Sequence, residues 1–187
     1  MYDSDHYRES ESKKTSTMTF RIDGQVLKVL KAESERRQIS LNTLVNQLLK
    51  RFIEWDMFEP KVGMIPMAKP IVIELFDNLS KEEITNMALN IGKNVVYDIA
   101  LFMKNKMDLE SFISWFETRM RSSSIEINHS VDNDIHTYTM KHELGEKWSL
   151  YHKVVLELMF NEIFEKRIDI DITNTTIRFK FQNTMYN

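Results

Sequence analysis

The residues best suited to ligand chemistry lie in the stretch TMTFRID, Thr17 to Asp23. Its side chains alternate between polar and apolar, which predicts a β-strand with two different faces. The polar face carries Thr17, Thr19 and Arg21, and the apolar face carries Met18, Phe20 and Ile22. Hydroxyls and a guanidinium in a row can hydrogen-bond to an extended polar ligand. Such a face is, however, more often simply solvated.

The histidines in the second half of the chain are the next candidates. They are His129, His136, His142 and His152. A strand through HTYTMKH would place His136, Tyr138, Met140 and His142 on one face, which suggests a metal site. The chain has no cysteine to supply a thiolate ligand, and no tight histidine spacing typical of zinc sites occurs. We therefore expect surface or hydrogen-bonded structural histidines, with no metal and no cofactor.

The motif HELGEKW brings His142, Glu143 and Glu146 together. No nucleophile or glycine-rich phosphate loop accompanies them, so a loop-to-helix transition at Gly145 explains the motif and we expect no enzyme. The aromatic and methionine-rich helix that follows, together with Trp115 and Phe116, indicates core packing. A small-molecule pocket between helix and sheet stays open as an alternative.

Composition describes an ordinary globular protein with an uneven distribution of charge. The 187 residues are 42% hydrophobic and 28% charged, with a net charge of −3. Residues 1–12 carry −3, residues 13–56 carry +4 and residues 57–187 carry −4, so the basic character accompanies the predicted strand. The absence of cysteine and of a long apolar run predicts a soluble cytoplasmic protein without a membrane partner. We expect residues 1–14 to be a flexible tail.

Two amphipathic helices follow the predicted strand. The first spans roughly 24–37 and begins at a possible cap, Asp23; the second follows the turn at Gln38–Ile39 and is capped by Ser40. All three prolines then fall within residues 57–70. This segment predicts a linker between a domain over 15–56 and a second domain over 71–182.

The second domain is predicted to be α+β, in the order β-αα-β-β-α-β-β. It starts with an apolar strand, IVIELF (71–76), and a capping box formed by Ser80 and Glu83 opens the next helix. Asp108 caps another helix, and DND (132–134) is a turn between two alternating strands. A long helix after Gly145 and the strands RIDIDI and TIRFKF complete an antiparallel sheet with helices on one face.

The strand Thr17–Asp23 has no partner strand nearby in the sequence. A lone strand leaves its backbone groups unpaired, and residues 15–56 are too few to bury their apolar faces alone. Two copies of the chain solve both problems if their strands pair antiparallel. The sequence therefore predicts an obligate homodimer.

The strand TMTFRID, the helix GQVLKVLKAESERR and the segment ISLNTLVNQLLK together resemble the ribbon-helix-helix family of DNA-binding proteins, the Arc/MetJ type. The resemblance covers residues 15–56 and no part of the second domain. In that family the two-stranded ribbon enters the major groove of DNA. The resemblance implies base contacts by Thr17, Thr19 and Arg21. It implies phosphate contacts by the start of the second helix, Ser40–Leu41–Asn42, with Lys13 and Lys14 adding contacts to the backbone.

One departure from the family concerns the turn between the two helices. Many relatives have glycine there, whereas this chain has Gln38. A left-handed backbone at a residue with a side chain would cost on the order of 1 kcal/mol.

The expected function is a homodimeric, sequence-specific transcriptional regulator of double-stranded DNA, with two dimers on adjacent half-sites as a natural tetramer. The second domain would sense an effector, contact a protein or build higher oligomers. An antitoxin-type protein is the alternative, in which the second domain binds a partner protein and DNA binding is autoregulatory. The predicted folded state of 71–182 favours the first function, because antitoxins of this family usually bind partners through short, disorder-like tails.

Overall fold

The computed structural model describes residues 15–183. The chain divides into two compact units, residues 1–48 and residues 49–187. The predicted phosphate contacts Lys13 and Lys14 lie outside the described residues, as does the predicted tail, residues 1–14.

The first unit contains α1, Gly24–Arg36, and most of α2, Leu41–Arg51. The predicted cap of α1 is confirmed: the Asp23 carboxylate accepts hydrogen bonds from the amides of Gln25 at 2.9 Å and Val26 at 3.1 Å. The predicted cap of α2 is also confirmed, since Ser40 Oγ accepts from the amide of Thr43 at 3.0 Å. These bonds satisfy backbone donors that the first turn of a helix leaves free.

The turn between α1 and α2 has a left-handed backbone at Gln38, the position where many ribbon-helix-helix proteins have glycine. Gln38 has a φ of 55°, and its amide donates to the carbonyl of Glu35 at 3.0 Å. The next amide, that of Ile39, donates to the carbonyl of Ser34 at 3.0 Å. This pair of bonds closes α1 in the manner of a helix C-cap that usually contains glycine.

Residues 15–23 form no strand ladder with any other part of the described chain. The segment precedes α1 as irregular backbone. The predicted pairing of Thr17–Asp23 is with a second copy, so it stays a prediction.

The predicted strand over 71–76 is wrong, because these residues form helix α3, Lys69–Asp77. A short apolar run does not distinguish a buried strand from a buried helix. Pro70 lies in the first turn of α3, where a helix needs no amide donor from it. Val72, Ile73 and Phe76 then pack against the core at helical spacing.

The second unit continues with four further α-helices and a four-stranded sheet. The helices are α4 Lys81–Met87, α5 Lys93–Lys104, α6 Leu109–Ser122 and α7 Glu146–Leu158. Three π-helical turns extend or join helices: Phe52–Asp56 after α2, Ala88–Gly92 between α4 and α5, and Met159–Ile163 after α7. The capping box of Ser80 with Glu83 and the cap of α6 by Asp108 are confirmed.

The sheet is antiparallel throughout, with the order β1-β2-β4-β3. The strands are β1 Glu126–Asp132, β2 Ile135–Lys141, β3 Ile168–Ile172 and β4 Thr176–Gln182. Asn133 and Asp134 link β1 to β2, and both have positive φ, which is typical of a type I′ hairpin turn. The α+β class and the antiparallel sheet are thus confirmed.

One face of the sheet packs on the helices and forms the core of the second unit. Alternate residues of β2 and β4 are buried, and the largest fully buried rings come from α6, the π-helical turn after α7, and β4. They are Phe112, Trp115, Phe160 and Phe179. The alternation follows from the two-residue period of a strand with one solvated face.

The predicted boundary at 57–70 differs from the observed division of the chain. The division falls inside α2, after Leu48. Trp55 is buried in the core of the second unit, and Phe58 and Met64 pack against the same core. The proline-containing segment therefore belongs to the second unit and leads into α3.

Candidate functional site

The segment Thr17–Asp23 presents both of its faces to solvent in the single chain. Thr17, Thr19 and Arg21 are exposed, and the apolar side chains are exposed too: Met18 by 73%, Phe20 by 56% and Ile22 by 42%. Burying such side chains is worth about 1.5–3 kcal/mol each. An apolar row of this kind is stable only when something covers it.

The backbone of the same segment is equally unsatisfied. Between Thr17 and Ile22 no amide or carbonyl makes a backbone hydrogen bond with another described residue. The side chain of Arg21 likewise has no hydrogen bond or ion pair within residues 15–183. The backbone of this segment and the guanidinium of Arg21 are therefore both available for intermolecular contacts.

The helices of the first unit bury one side and expose another. Leu44 is only 1% exposed and Ser34 is buried. Val26, Val29 and Leu48 are about half exposed or more. The exposed apolar residues of α1 and α2 add to the uncovered surface of residues 15–23.

The N-terminus of α2 carries amides that no other described residue uses. The amide of Thr43 is bonded to Ser40 and that of Leu44 to the Ser40 carbonyl, whereas the amides of Leu41 and Asn42 have no partner among residues 15–183. Free amides at the positive end of a helix dipole attract an anion. The phosphate contact of Ser40–Leu41–Asn42 stays a prediction.

The basic residues of α1 differ in how far they are neutralised. Arg36 and Arg37 both hydrogen-bond to Glu33, and these bonds lower the pKa of the Glu33 carboxyl to about 2. Lys28 and Lys31 have no ion pair with another described residue. Arg36 and Arg37 thus belong to a local ion-pair cluster on a solvated helix face.

A cavity of about 770 Å³ lies within the second unit. Its walls come from the segment before α3, from α3, α5, α6 and α7, and they are mostly apolar. All three tryptophans of the chain, Trp55, Trp115 and Trp148, line it. From the sequence, a small-molecule pocket between helix and sheet was only an alternative to core packing. The residues that line the cavity were not identified from the sequence.

Eight polar residues also line the cavity: Arg51, Glu59, Lys69, Arg119, Ser122, Ser123, Tyr151 and His152. Arg51 and Lys69 are paired with Asp56 and Glu143. The guanidinium of Arg119 lies over the ring of Trp115, 5.6 Å from its centroid, and forms no ion pair with another described residue. Burial lowers the pKa of Arg119 and raises that of the Tyr151 hydroxyl. Arg119 lies three, four and seven residues after Phe116, Trp115 and Phe112, so the helical spacing places it on the apolar face of α6. That signal was present in the sequence and was missed.

His152 is buried and only partly satisfied. Its Nδ1 donates to the carbonyl of Trp148 at 3.0 Å, which leaves Nε2 as the acceptor of a neutral ring. Nε2 has no hydrogen-bond partner among the described residues. Burial, with the nearby charge of Arg119, lowers the pKa of His152 to about 3.

His142 is a structural histidine, as expected. Its Nδ1 accepts from the amide of Leu144 at 3.2 Å, and its Nε2 lies 2.8 Å from Ser149 Oγ. Ser149 in turn donates to the carbonyl of Thr173 at 2.8 Å, so its hydroxyl links the His142 ring to the backbone of Thr173. Glu143 and Glu146 pair with Lys69 and Lys81.

The remaining two histidines lie on the hairpin of β1 and β2. His129 Nε2 is 3.1 Å from His136 Nδ1, and the two rings stack on each other and on Tyr138 and Phe181. His142 follows the end of β2 and takes no part in this stack. The ring of His142 is therefore not part of one cluster with His129 and His136. Within residues 15–183 no group of three or more potential metal ligands occurs.

No known protein family and no curated protein matches the chain. Within the described part of the chain, no helix has both the length and the apolar character needed to cross a membrane.

Proposed function

We propose that the protein is a homodimeric transcriptional regulator of the ribbon-helix-helix type, which inserts a two-stranded ribbon into the major groove of DNA. The observation that carries the proposal is the uncovered segment Thr17–Asp23. Between Thr17 and Ile22 the backbone makes no hydrogen bond with another described residue, and the alternating side chains are exposed, directly before two capped helices.

Pairing with a second copy would satisfy what the single chain leaves open. An antiparallel ribbon would bond the free amides and carbonyls of both copies. It would place Met18, Phe20 and Ile22 of both chains on one side, against the exposed apolar residues of α1 and α2. The resulting dimer has two-fold symmetry, which suits a palindromic DNA site.

The opposite side of the ribbon carries the groups that would contact bases. Arg21 can bond bidentately to O6 and N7 of guanine, and the hydroxyls and methyls of Thr17 and Thr19 suit mixed base edges. The free amides of Leu41 and Asn42 would bind a phosphate and orient the dimer. Lys13 and Lys14 would add sequence-independent attraction.

The second unit would supply a regulatory or protein-binding function in the cytoplasm, and two dimers would occupy adjacent half-sites. Its sheet, helices and buried core form a folded unit.

Selection from random double-stranded DNA with the full-length protein, followed by affinity measurement on the enriched site, tests the proposal. We predict that Arg21→Ala weakens binding to that site by about 1–3 kcal/mol, because one bidentate base contact is lost, while the protein stays dimeric. Binding to unrelated DNA should change much less.

Arg36→Ala is the matched control, because it removes the same charge from the same unit. Arg36 pairs with Glu33 and lies outside the ribbon. Equal losses from Arg21→Ala and Arg36→Ala would contradict base recognition by Arg21. Failure to enrich any sequence would contradict the function itself.

A further inference from the structure

The cavity of the second unit has the composition of a ligand site rather than of a packing defect. Its volume of about 770 Å³ falls within the range of small-molecule pockets, about 300–1,000 Å³. Packing defects in a core are usually far smaller and wholly apolar. Several apolar residues of its lining, Ile65, Leu75 and Val95, are also substantially exposed, so the cavity opens to solvent.

Two polar groups of the lining, Arg119 and His152, lack a partner among the described residues, whereas Arg51 and Lys69 pair with Asp56 and Glu143. Arg119 is a permanent cation that forms no ion pair with another described residue, and its guanidinium lies over the face of Trp115. A partly buried charge held in this way is costly unless an anion approaches it. His152 adds a buried acceptor, Nε2, that lacks a donor, and the hydroxyl of Tyr151 lies in the same lining.

We propose that this cavity binds a small amphipathic acid: an apolar body with a carboxylate that pairs with Arg119 and a neighbouring hydroxyl that donates to His152 Nε2. The carboxylate forms charge-assisted hydrogen bonds with the guanidinium. The apolar body lies against the tryptophans and the aliphatic side chains. A cationic ligand is disfavoured by Arg119, and a ligand without a donor leaves Nε2 unsatisfied.

This inference does not depend on DNA binding. It concerns residues of the second unit alone, so failure of the DNA experiment leaves it standing and the reverse also holds. The resemblance to DNA-binding proteins ends at residue 56 and therefore says nothing about a ligand of the second unit.

A pair of matched compounds tests the inference on the full-length protein. The first is 3-hydroxydecanoate. The second is 1,3-decanediol, which keeps the chain and the hydroxyl but replaces the carboxylate by an uncharged group. Because every tryptophan of the chain lines the cavity, intrinsic fluorescence reports binding there. We expect the acid to shift the fluorescence saturably and to bind about tenfold or more tightly than the diol.

Substitutions locate the binding. Arg119→Met should weaken binding of the acid by about tenfold or more and leave the diol unaffected. His152→Phe should weaken both compounds, because both offer the hydroxyl. Arg121→Met is the control, since Arg121 belongs to the same helix but is exposed and pairs with Glu117; it should change neither affinity. If Arg119→Met does not fold, Arg119→Lys, which keeps the charge, should retain the preference for the acid.

Three outcomes would overturn the inference. The diol could bind as tightly as the acid, or Arg119→Met could bind the acid like the unmodified protein. The acid could also fail to shift the fluorescence at about 1 mM, where even a weak site would be half occupied.

Discussion

Gln38 is a residue whose backbone conformation conflicts with its side chain. A φ of 55° places its Cβ close to the following carbonyl, which costs roughly 1–2 kcal/mol. The position of the turn follows from the sequence, because α1 must end before the cap Ser40. The choice of glutamine does not follow from the local geometry, and nothing in the structure explains it.

We predict that Gln38→Gly stabilises the first unit by about 1 kcal/mol, because glycine adopts positive φ without strain, less the entropy that glycine loses on folding. Chemical denaturation of the full-length protein measures the difference. Gln38→Ala is the control: it keeps a Cβ, so it should give little of the gain. A destabilised Gln38→Gly variant would show that the glutamine side chain contributes more than its strain.

His152 makes stability depend on pH. Its pKa is about 3 in the folded protein against about 6.5 in an unfolded chain, so the unfolded state binds the extra proton at intermediate pH. Stability contributed by the neutral ring is therefore fully present above about pH 6.5 and is lost as pH falls toward 3.

We predict that His152→Phe flattens the pH dependence of the second unit between pH 4 and 6.5, because phenylalanine takes up no proton. Denaturation curves of both proteins at several pH values measure the effect. His142, whose pKa burial also lowers, is unchanged in both and cancels in the comparison. Parallel curves for the two proteins would contradict the assignment to His152.

At the scale of elements, sequence patterns predicted the helix caps and the four strands of the sheet, but they predicted a strand where α3 lies. The caps at Asp23, Ser40, Ser80 and Asp108 depend on local hydrogen bonds, which a few neighbouring residues determine. The strand prediction for 71–76 failed because a continuous apolar run fits either structure, and the helix depends on tertiary packing of Val72, Ile73 and Phe76. The cavity was missed for the same reason, since its walls come from distant segments.

Gly92, between α4 and α5, lies where another helix approaches closely. A Cβ built at Gly92 would lie 2.4 Å from Cγ2 of Val155 on α7, far inside contact distance. We predict that Gly92→Ala destabilises the second unit by about 1–2 kcal/mol, because the overlap outweighs the better helix propensity of alanine.

The double variant Gly92→Ala/Val155→Ala isolates the overlap. Removing the Cγ atoms of Val155 makes room for the new methyl, so the cost of the double variant should be smaller than the sum of the two single costs. Urea denaturation of the three variants and the unmodified protein supplies the comparison. Additive costs would indicate that the helices shift apart without strain.

At the scale of the whole molecule, the two units differ in how completely they bury their apolar residues and pair their backbone groups. The second unit has a continuous core and a paired sheet. The first unit leaves apolar residues exposed, and its backbone from Thr17 to Ile22 makes no hydrogen bond with another described residue. The sequence predicted this contrast from the isolated strand and the small size of the segment. It did not predict where the division falls, because the burial of Trp55 depends on contacts that no local pattern reveals.

We predict that the first unit melts at a temperature that rises with protein concentration, because its folding is coupled to association of two chains. Scanning calorimetry over a hundredfold range of concentration measures the shift, and sedimentation gives the mass relative to the 22.3 kDa chain. Phe20→Arg should abolish the dimer and its melting transition but preserve that of the second unit. A folded monomer of the unmodified protein would contradict the proposed dimer.

The hydroxyl of Ser149 joins His142 to the carbonyl of Thr173, and thus ties together three chain positions that are far apart in sequence. Alanine at position 149 would leave Nε2 of the buried His142 ring without a hydrogen-bond partner. In related sequences that lack Ser149, we therefore expect an apolar residue in place of His142. Positions 142 and 149 should vary together in an alignment.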